Sequence, residues 1–106
     1  MDGLVRTLYE GEEQGEYVVD YMLHNLTGFD ADEVTVTESL LRGATVLEEH
    51  NTVCVTDDRV ACGALPIGAR LHCSLRLRTS ARDGGAVVRL EGKTACSILR
   101  AVAPRQ

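Results

Sequence analysis

The sequence has no tryptophan, one phenylalanine and two prolines among 106 residues, and its apolar runs are only a few residues long. The short apolar runs predict no membrane-spanning helix and no insertion into a bilayer. The lack of tryptophan argues against an antibody-type domain, in which a Trp packs on the inter-sheet disulfide. A net charge of −5 with so few aromatic residues argues against a nucleic-acid partner.

The sequence also lacks the short motifs that assemble catalytic groups. It has no Gly-x-Ser-x-Gly elbow, no Cys-x-x-Cys pair and no glycine-rich phosphate loop between a strand and a helix. We therefore expect no enzyme activity, no cofactor, no metal and no small-molecule substrate. The N-terminus lacks the basic residues and apolar run of a secretory signal, so we expect either that the protein uses no such signal or that the chain is excised from a larger precursor.

A period of two dominates the residues that are present. Tyr17, Val19, Tyr21 and Leu23 alternate with polar neighbours, and a second run from Leu71 to Arg78 alternates in the same way. Further strands are predicted at Leu4–Tyr9, Val34–Thr37, Ala44–Leu47, Thr52–Val55, Arg59–Cys62 and Val88–Ile98. Turn signals about every ten residues favour an all-β, antiparallel, immunoglobulin-like sandwich of six to eight short strands.

The length predicts one domain over residues 1–106. We expect residues 1–16 to form an edge strand and an acidic linker, residues 17–99 the core sandwich, and residues 100–106 a tail.

Four cysteines allow three disulfide pairings, and two predicted hairpins select one of them. In a hairpin centred on Asp58, Cys54 faces Cys62, and in one centred on Gly84-Gly85, Cys73 faces Cys96. The prediction is Cys54–Cys62 and Cys73–Cys96. The alternative is reduced thiols, with Cys73 and Cys96 as small core residues.

Charge is divided along the chain. Residues 1–50 carry twelve acidic and two basic side chains, and residues 51–106 carry four acidic and nine basic ones. Opposite charges that interleave in the folded sheets are the simpler explanation, and a charge dipole that promotes association is the other.

The order of these segments resembles the bacterial cell-surface repeats called domain of unknown function 11, and more distantly the integrin α-subunit leg modules. The resemblance rests on Asn25, on Val34-Thr35-Val36-Thr37-Glu38-Ser39-Leu40 with Gly43, and on Cys54, Cys62, Gly63, Leu65, Gly68 and Ala69. It covers residues 17–98, with Leu41 where those repeats have Pro. It implies an immunoglobulin-like spacer or scaffold that presents loops and sheet faces to partners.

Candidate sites are few. On the predicted strand through Cys73, the outward residues His72, Arg76 and Arg78 could bind a protein partner, although a solvated sheet face is the simpler interpretation. Asp30, Asp32 and Glu33 could ligate calcium but lack the full ligand spacing of a calcium loop. Asn25-Leu26-Thr27 is a glycosylation triplet in which Asn25 could equally end its strand.

Three functions remain open. The first is a structural or adhesive surface module, outside the cell or at its surface, used singly or in a tandem array. The second is a virion decoration or assembly protein, and the third is an intracellular binding domain with free thiols. In each case the expected partner is a protein or a neighbouring copy of the chain.

Overall fold

The computed structural model describes residues 3–82 and 84–91, which form two antiparallel four-stranded sheets packed face to face. The strands are β1 (Leu4–Glu10), β2 (Glu16–His24), β3 (Ala31–Glu38), β4 (Thr45–His50), β5 (Cys54–Thr56), β6 (Arg59–Leu65), β7 (Arg70–Arg78) and β8 (Ala86–Glu91). Sheet A has the order β1-β2-β7-β4, and sheet B has the order β5-β6-β3-β8. The predicted all-β sandwich is confirmed, and the described part of the chain contains no helix long and apolar enough to cross a membrane.

Alternation along β2 and β7 explains how sheet A contributes to the core. Val19, Tyr21 and Leu23 of β2 are buried, as are Cys73, Leu75 and Leu77 of β7. These are the inward faces that the two-residue period predicts, because successive side chains on a strand point to opposite sides of the sheet. Burying two such rows against sheet B is the main favourable contribution to folding.

β3 departs from this simple alternation because its pairing with β6 shifts twice, between Ala31 and Val34 and between Val34 and Thr35. The irregularity leaves Glu33 buried directly beside Val34. The Gly63 amide, opposite the irregular segment, donates to Glu33 Oε2 at 2.7 Å. Gly63 has a φ of +92°, a conformation that glycine adopts with little strain.

The predicted hairpin of β5 and β6 is present, but its register is one residue away from the predicted one. Cys54 faces Ala61, and Thr56 faces Arg59 across a two-residue turn. Asp57 begins that turn with a φ of +50°, which permits a tighter turn than one centred on Asp58. The slip places Cys54 with Ala61, while Cys62 lies in the main core.

The hairpin predicted between the last two strands is wrong. β7 pairs with β2 and β4 in sheet A, whereas β8 pairs with β3 in sheet B. The connection that contains Gly84-Gly85 therefore leads from one sheet to the other, and within residues 3–82 and 84–91 the strands β7 and β8 do not pair. Cys96 itself lies outside the described residues.

Candidate interaction surface

The predicted partner-binding residues His72, Arg76 and Arg78 all lie on β7, on the outer face of sheet A. They are partly exposed, with side-chain accessibilities of 54%, 40% and 54%. Their placement follows from the inward row of Cys73, Leu75 and Leu77, since alternate residues of β7 must point outward.

Arg76 and Arg78 are held by carboxylates from the two strands that flank β7. Arg76 Nε donates to Glu48 Oε1 of β4 at 3.0 Å, and its Nη1 donates to Glu16 Oε1 of β2 at 3.2 Å. Arg78 Nη2 donates to Glu16 Oε2 at 3.3 Å. The hydrogen bonds that Arg76 donates to Glu48 and to Glu16 raise the pKa of Arg76 above its ordinary value.

His72 also lies next to a carboxylate of β2. Its Nε2 lies 3.3 Å from Asp20 Oδ1 on β2, and both side chains are accessible to solvent. Together with the Glu16 pairs, this contact joins acidic side chains of the first half of the chain to basic side chains of the second half. The charge division seen along the sequence is thus partly neutralised by interleaving within sheet A.

β1 forms one edge of sheet A, and its outward residues are largely apolar. Val5 is 62% exposed and Tyr9 is 50% exposed, while Met22, the β2 neighbour of Val5, is 43% exposed. The inward residues Leu4 and Leu8 pack against the core. β1 is therefore well anchored on one face and presents an apolar row on the other.

The other sheet edges carry features that discourage pairing with a further strand. β4 contains Glu48, Glu49 and His50 and a register shift, β5 has only three residues, and β8 carries Arg89. β1 is seven residues long, pairs with β2 in an unbroken register and contains neither proline nor lysine, and its arginine, Arg6, is bonded to Glu38 behind the strand. Within residues 3–82 and 84–91, β2 is the sole strand that pairs with it.

A buried charged cluster connects the two sheets behind β1. Arg6 of β1 donates from Nε to Glu38 Oε1 at 2.8 Å and from Nη2 to Glu38 Oε2 at 2.9 Å. The Tyr21 hydroxyl donates to Glu38 Oε1 at 2.7 Å, and the Leu40 amide donates to Oε2 at 3.1 Å. Because the Glu38 carboxylate is fully buried and shares its oxygens among these donors, its role is to hold the sheets together.

The cluster makes the stability of the protein sensitive to alkaline pH. Burial, followed by the nearby Glu38 carboxylate, raises the pKa of Tyr21 well above its ordinary value of 10.0. Above about pH 10 the unfolded chain loses the Tyr21 proton and the folded chain keeps it, so the folded state is progressively destabilised as pH rises. We expect this group to lower the free energy of unfolding by about 1.4 kcal/mol per pH unit in that range.

Urea unfolding of the wild type and of Tyr21→Phe between pH 8 and pH 11 measures this effect. The free energy of unfolding is plotted against pH for each protein. The difference between the two slopes gives the contribution of the Tyr21 hydroxyl apart from other groups that titrate in the same range. Equal slopes for the two proteins would show that Tyr21 ionises as readily in the folded state as in the unfolded state.

At one end of the sandwich, Asn25 organises the β2–β3 loop and the β6–β7 turn. Its side-chain amide donates to the Leu65 carbonyl at 2.8 Å and to the Phe29 carbonyl at 3.0 Å, and its Oδ1 accepts from the Thr27 amide at 2.9 Å. The residue is 1% exposed. The amide nitrogen is therefore inaccessible to a glycan, and the glycosylation hypothesis does not fit the folded protein.

The predicted calcium ligands do not converge. Asp30 Oδ1 accepts from the Ile67 amide at 2.9 Å, Glu33 is buried against Gly63, and Asp32 is exposed. Across residues 3–82 and 84–91, no group of three or more His, Cys, Asp and Glu side chains could hold a metal ion.

An open cleft of about 660 Å³ lies between the β1–β2 turn and the segment that follows β7. Three carboxylates line it, together with Thr79, Ser80 and Arg82, and the lining includes no histidine or cysteine. The geometry therefore provides no nucleophile paired with a histidine base in this cleft.

The cysteines differ from the predicted pairing. Cys54 is disulfide-bonded, whereas Cys62 and Cys73 are free and buried. Neither the Cys54–Cys62 bridge nor the Cys73–Cys96 bridge is present. The physical reason is the one-residue slip of the β5–β6 hairpin together with the assignment of β7 and β8 to different sheets.

Sequence reasoning predicted an edge strand in residues 1–16 but missed Glu38 and the apolar outer row of β1 as the features that define this surface. A glutamate that follows a Thr/Val strand has no signal of burial, and its partner Arg6 lies 32 residues away. No protein-family model matches the sequence, and no curated protein matches it. The resemblance to cell-surface repeats stays a prediction.

Proposed function

We propose that the protein is a non-enzymatic β-sandwich module that joins a second copy of itself by pairing β1 with β1. The observation that carries this proposal is the edge of sheet A, where a long, regular strand has an apolar outer row and, among the described residues, pairs with another strand on one side only. Such an edge is a template for pairing with another strand. The product would be a continuous eight-stranded sheet across two copies.

β1 is suited to pair with itself. Around a two-fold axis at Thr7, antiparallel pairing sets Val5 of one copy opposite Tyr9 of the other, and Arg6 opposite Leu8. Branched aliphatic and aromatic residues make favourable cross-strand pairs, and no like charges face each other in this register. Because the axis repeats each pair away from Thr7, the Val5–Tyr9 and Arg6–Leu8 contacts each occur twice in the dimer.

The charged residues on the outer face of sheet A distinguish association through β1 from association driven by opposite charges. The ion pairs of β7 with β2 and β4 engage Arg76 and Arg78 within one copy, so these two arginines contribute less to head-to-tail attraction between copies. A dimer formed through β1 should therefore depend little on salt, whereas an assembly held by the acidic and basic halves should dissociate as screening rises. Surface module and virion subunit both remain compatible with β1 pairing, since each places copies side by side.

Val5→Lys tests the proposal, because it places a charge in the apolar row twice per dimer. We expect its dimer Kd, measured by sedimentation equilibrium, to rise at least about tenfold over the wild type. The matched control is Val87→Lys on β8, where the same change occurs at a valine that is 64% exposed against 62% for Val5. The control should dimerise like the wild type.

A charge-swap variant tests the register itself. Val5→Lys combined with Tyr9→Glu would set opposite charges across the interface, so dimerisation should recover and become salt-sensitive. A wild type that stays monomeric at millimolar concentration would overturn the proposal. A dimer that is equally weakened by Val5→Lys and Val87→Lys would place the interface elsewhere.

A further inference from the structure

The two free thiols meet at the centre of the sandwich. Cys62 lies on β6 of sheet B and Cys73 on β7 of sheet A, and their Sγ atoms are 3.2 Å apart. Cys62 is 6% exposed and Cys73 is fully buried. These positions are 11 residues apart in sequence but belong to different sheets, so the contact crosses the core.

The spacing is close to that of a covalent bond. A disulfide has sulfur atoms about 2.05 Å apart, roughly 1 Å closer than the two thiols here. The two Sγ atoms already lie in contact between the sheets, so formation of the bond requires them to approach by roughly 1 Å.

We propose that Cys62 and Cys73 are a cross-linking site, at which oxidation during folding creates a disulfide between the two sheets. The oxidant is a small-molecule disulfide of the glutathione class. One cysteine thiolate attacks it, forms a mixed disulfide and releases one small thiol. The second cysteine thiolate then attacks the protein sulfur of that mixed disulfide and releases the second small thiol. Two protons and two electrons leave the protein, and the oxidant is reduced to two thiols.

Burial determines when this reaction takes place. The contact with Cys73, together with burial, raises the pKa of the Cys62 thiol, so little of the reactive thiolate exists in the folded core. A small disulfide also cannot reach sulfur atoms that are covered on both sides by the sheets. The cross-link should therefore form quickly in a refolding chain and slowly in the folded, reduced protein. Cys54, which is already disulfide-bonded, shows that the fold accommodates an oxidised cysteine.

Trypsin provides a clean assay, because cleavage after arginine and lysine puts the four cysteines on separate peptides. Cys62 falls in residues 60–70, Cys73 in residues 71–76, Cys54 in residues 43–59 and Cys96 in residues 94–100. The full chain is refolded with oxidised and reduced glutathione, remaining thiols are alkylated, and the non-reduced digest is analysed by mass spectrometry. We expect peptide 60–70 linked to peptide 71–76. Alkylated thiols on both peptides, or a link from 60–70 to 43–59, would overturn the proposal.

Thermal unfolding supplies a second readout. Closing a loop of this length should raise the Tm of the oxidised protein by roughly 10 °C relative to the reduced protein. In the Cys62→Ala/Cys73→Ala variant, reduction affects the remaining disulfide alone, so the additional Tm shift of the wild type should disappear. A redox-dependent Tm shift of the same size in both proteins would contradict a cross-link at this pair.

Discussion

Glu38→Ala is expected to lower the free energy of unfolding by about 3–5 kcal/mol. The substitution removes the acceptor for two Arg6 donors and for the Tyr21 hydroxyl, all of which lie behind β1. Arg6 would then retain its charge in a largely buried position without a partner, since its side chain is only 17% exposed. Leaving one member of a buried pair uncompensated costs far more than the pair itself contributes.

Urea unfolding followed by circular dichroism measures this change. Glu48→Ala is the matched control, because it removes a glutamate whose partner Arg76 lies on the exposed outer face of sheet A. The control should unfold close to the wild type. Tyr21→Phe, which deletes one hydrogen bond and keeps the ring, should cost about 1 kcal/mol at neutral pH.

A double variant tests whether Glu38→Ala loses stability because Arg6 is left unpaired or because the interactions of Glu38 are lost. Arg6→Met combined with Glu38→Leu replaces both charges with apolar side chains, so no buried charge is left without its partner. The Tyr21 hydroxyl and the Leu40 amide lose their acceptor in this variant, as they do in Glu38→Ala. Much of the stability lost in Glu38→Ala should return. A double variant as unstable as Glu38→Ala would mean that the lost interactions of Glu38 with Arg6, Tyr21 and Leu40, rather than the unpaired charge of Arg6, account for the effect.

Asn25→Asp is expected to destabilise the protein by about 3 kcal/mol although it changes only one side-chain group. The amide nitrogen donates to the carbonyls of Phe29 and Leu65, and a carboxylate cannot donate to either. The variant would also bury a negative charge beside two carbonyl oxygens, because the position is 1% exposed.

Hydrogen exchange localises this second effect. Asn25→Asp should increase exchange in the loop after β2 and in the turn before β7, which Asn25 links. Its control is Asp32→Ala, an exposed acidic residue close to the same loop. Two backbone hydrogen bonds also link these segments: the Asn25 amide donates to the Ala69 carbonyl, and the Gly68 amide donates to the Asn25 carbonyl, each at 3.0 Å. Unchanged exchange in both segments would show that these backbone bonds are enough to hold this end of the sandwich.

Loop chemistry of this kind was only partly predictable. The sequence placed Asn25 at the end of a strand, where the chain does turn. It also made Asn25 a glycosylation candidate, because a triplet carries no information about burial. The same limit applies to Asp30, a predicted calcium ligand whose carboxylate accepts a hydrogen bond from a backbone amide 37 residues away.

The cysteines show how a correct local prediction led to a wrong pairing. The hairpin at Asp57-Asp58 was recognised from its residues, but a two-residue turn instead of a three-residue turn moves Cys54 opposite Ala61. One residue is enough to send a side chain to the other face of its strand. Cys62 consequently faces the core, where it meets Cys73 from the opposite sheet.

By itself the sequence determined the class of fold and the inward faces of β2 and β7, because the two-residue alternation of side chains is a local property of an extended backbone. It also determined that β7 displays His72, Arg76 and Arg78 outward. Only the tertiary structure decided that β7 pairs with β2 and β4, that Glu38 meets Arg6, and that the edge strand β1 pairs with β2. These outcomes depend on turn lengths, register shifts and the stacking of two sheets, which bring together residues far apart in the chain.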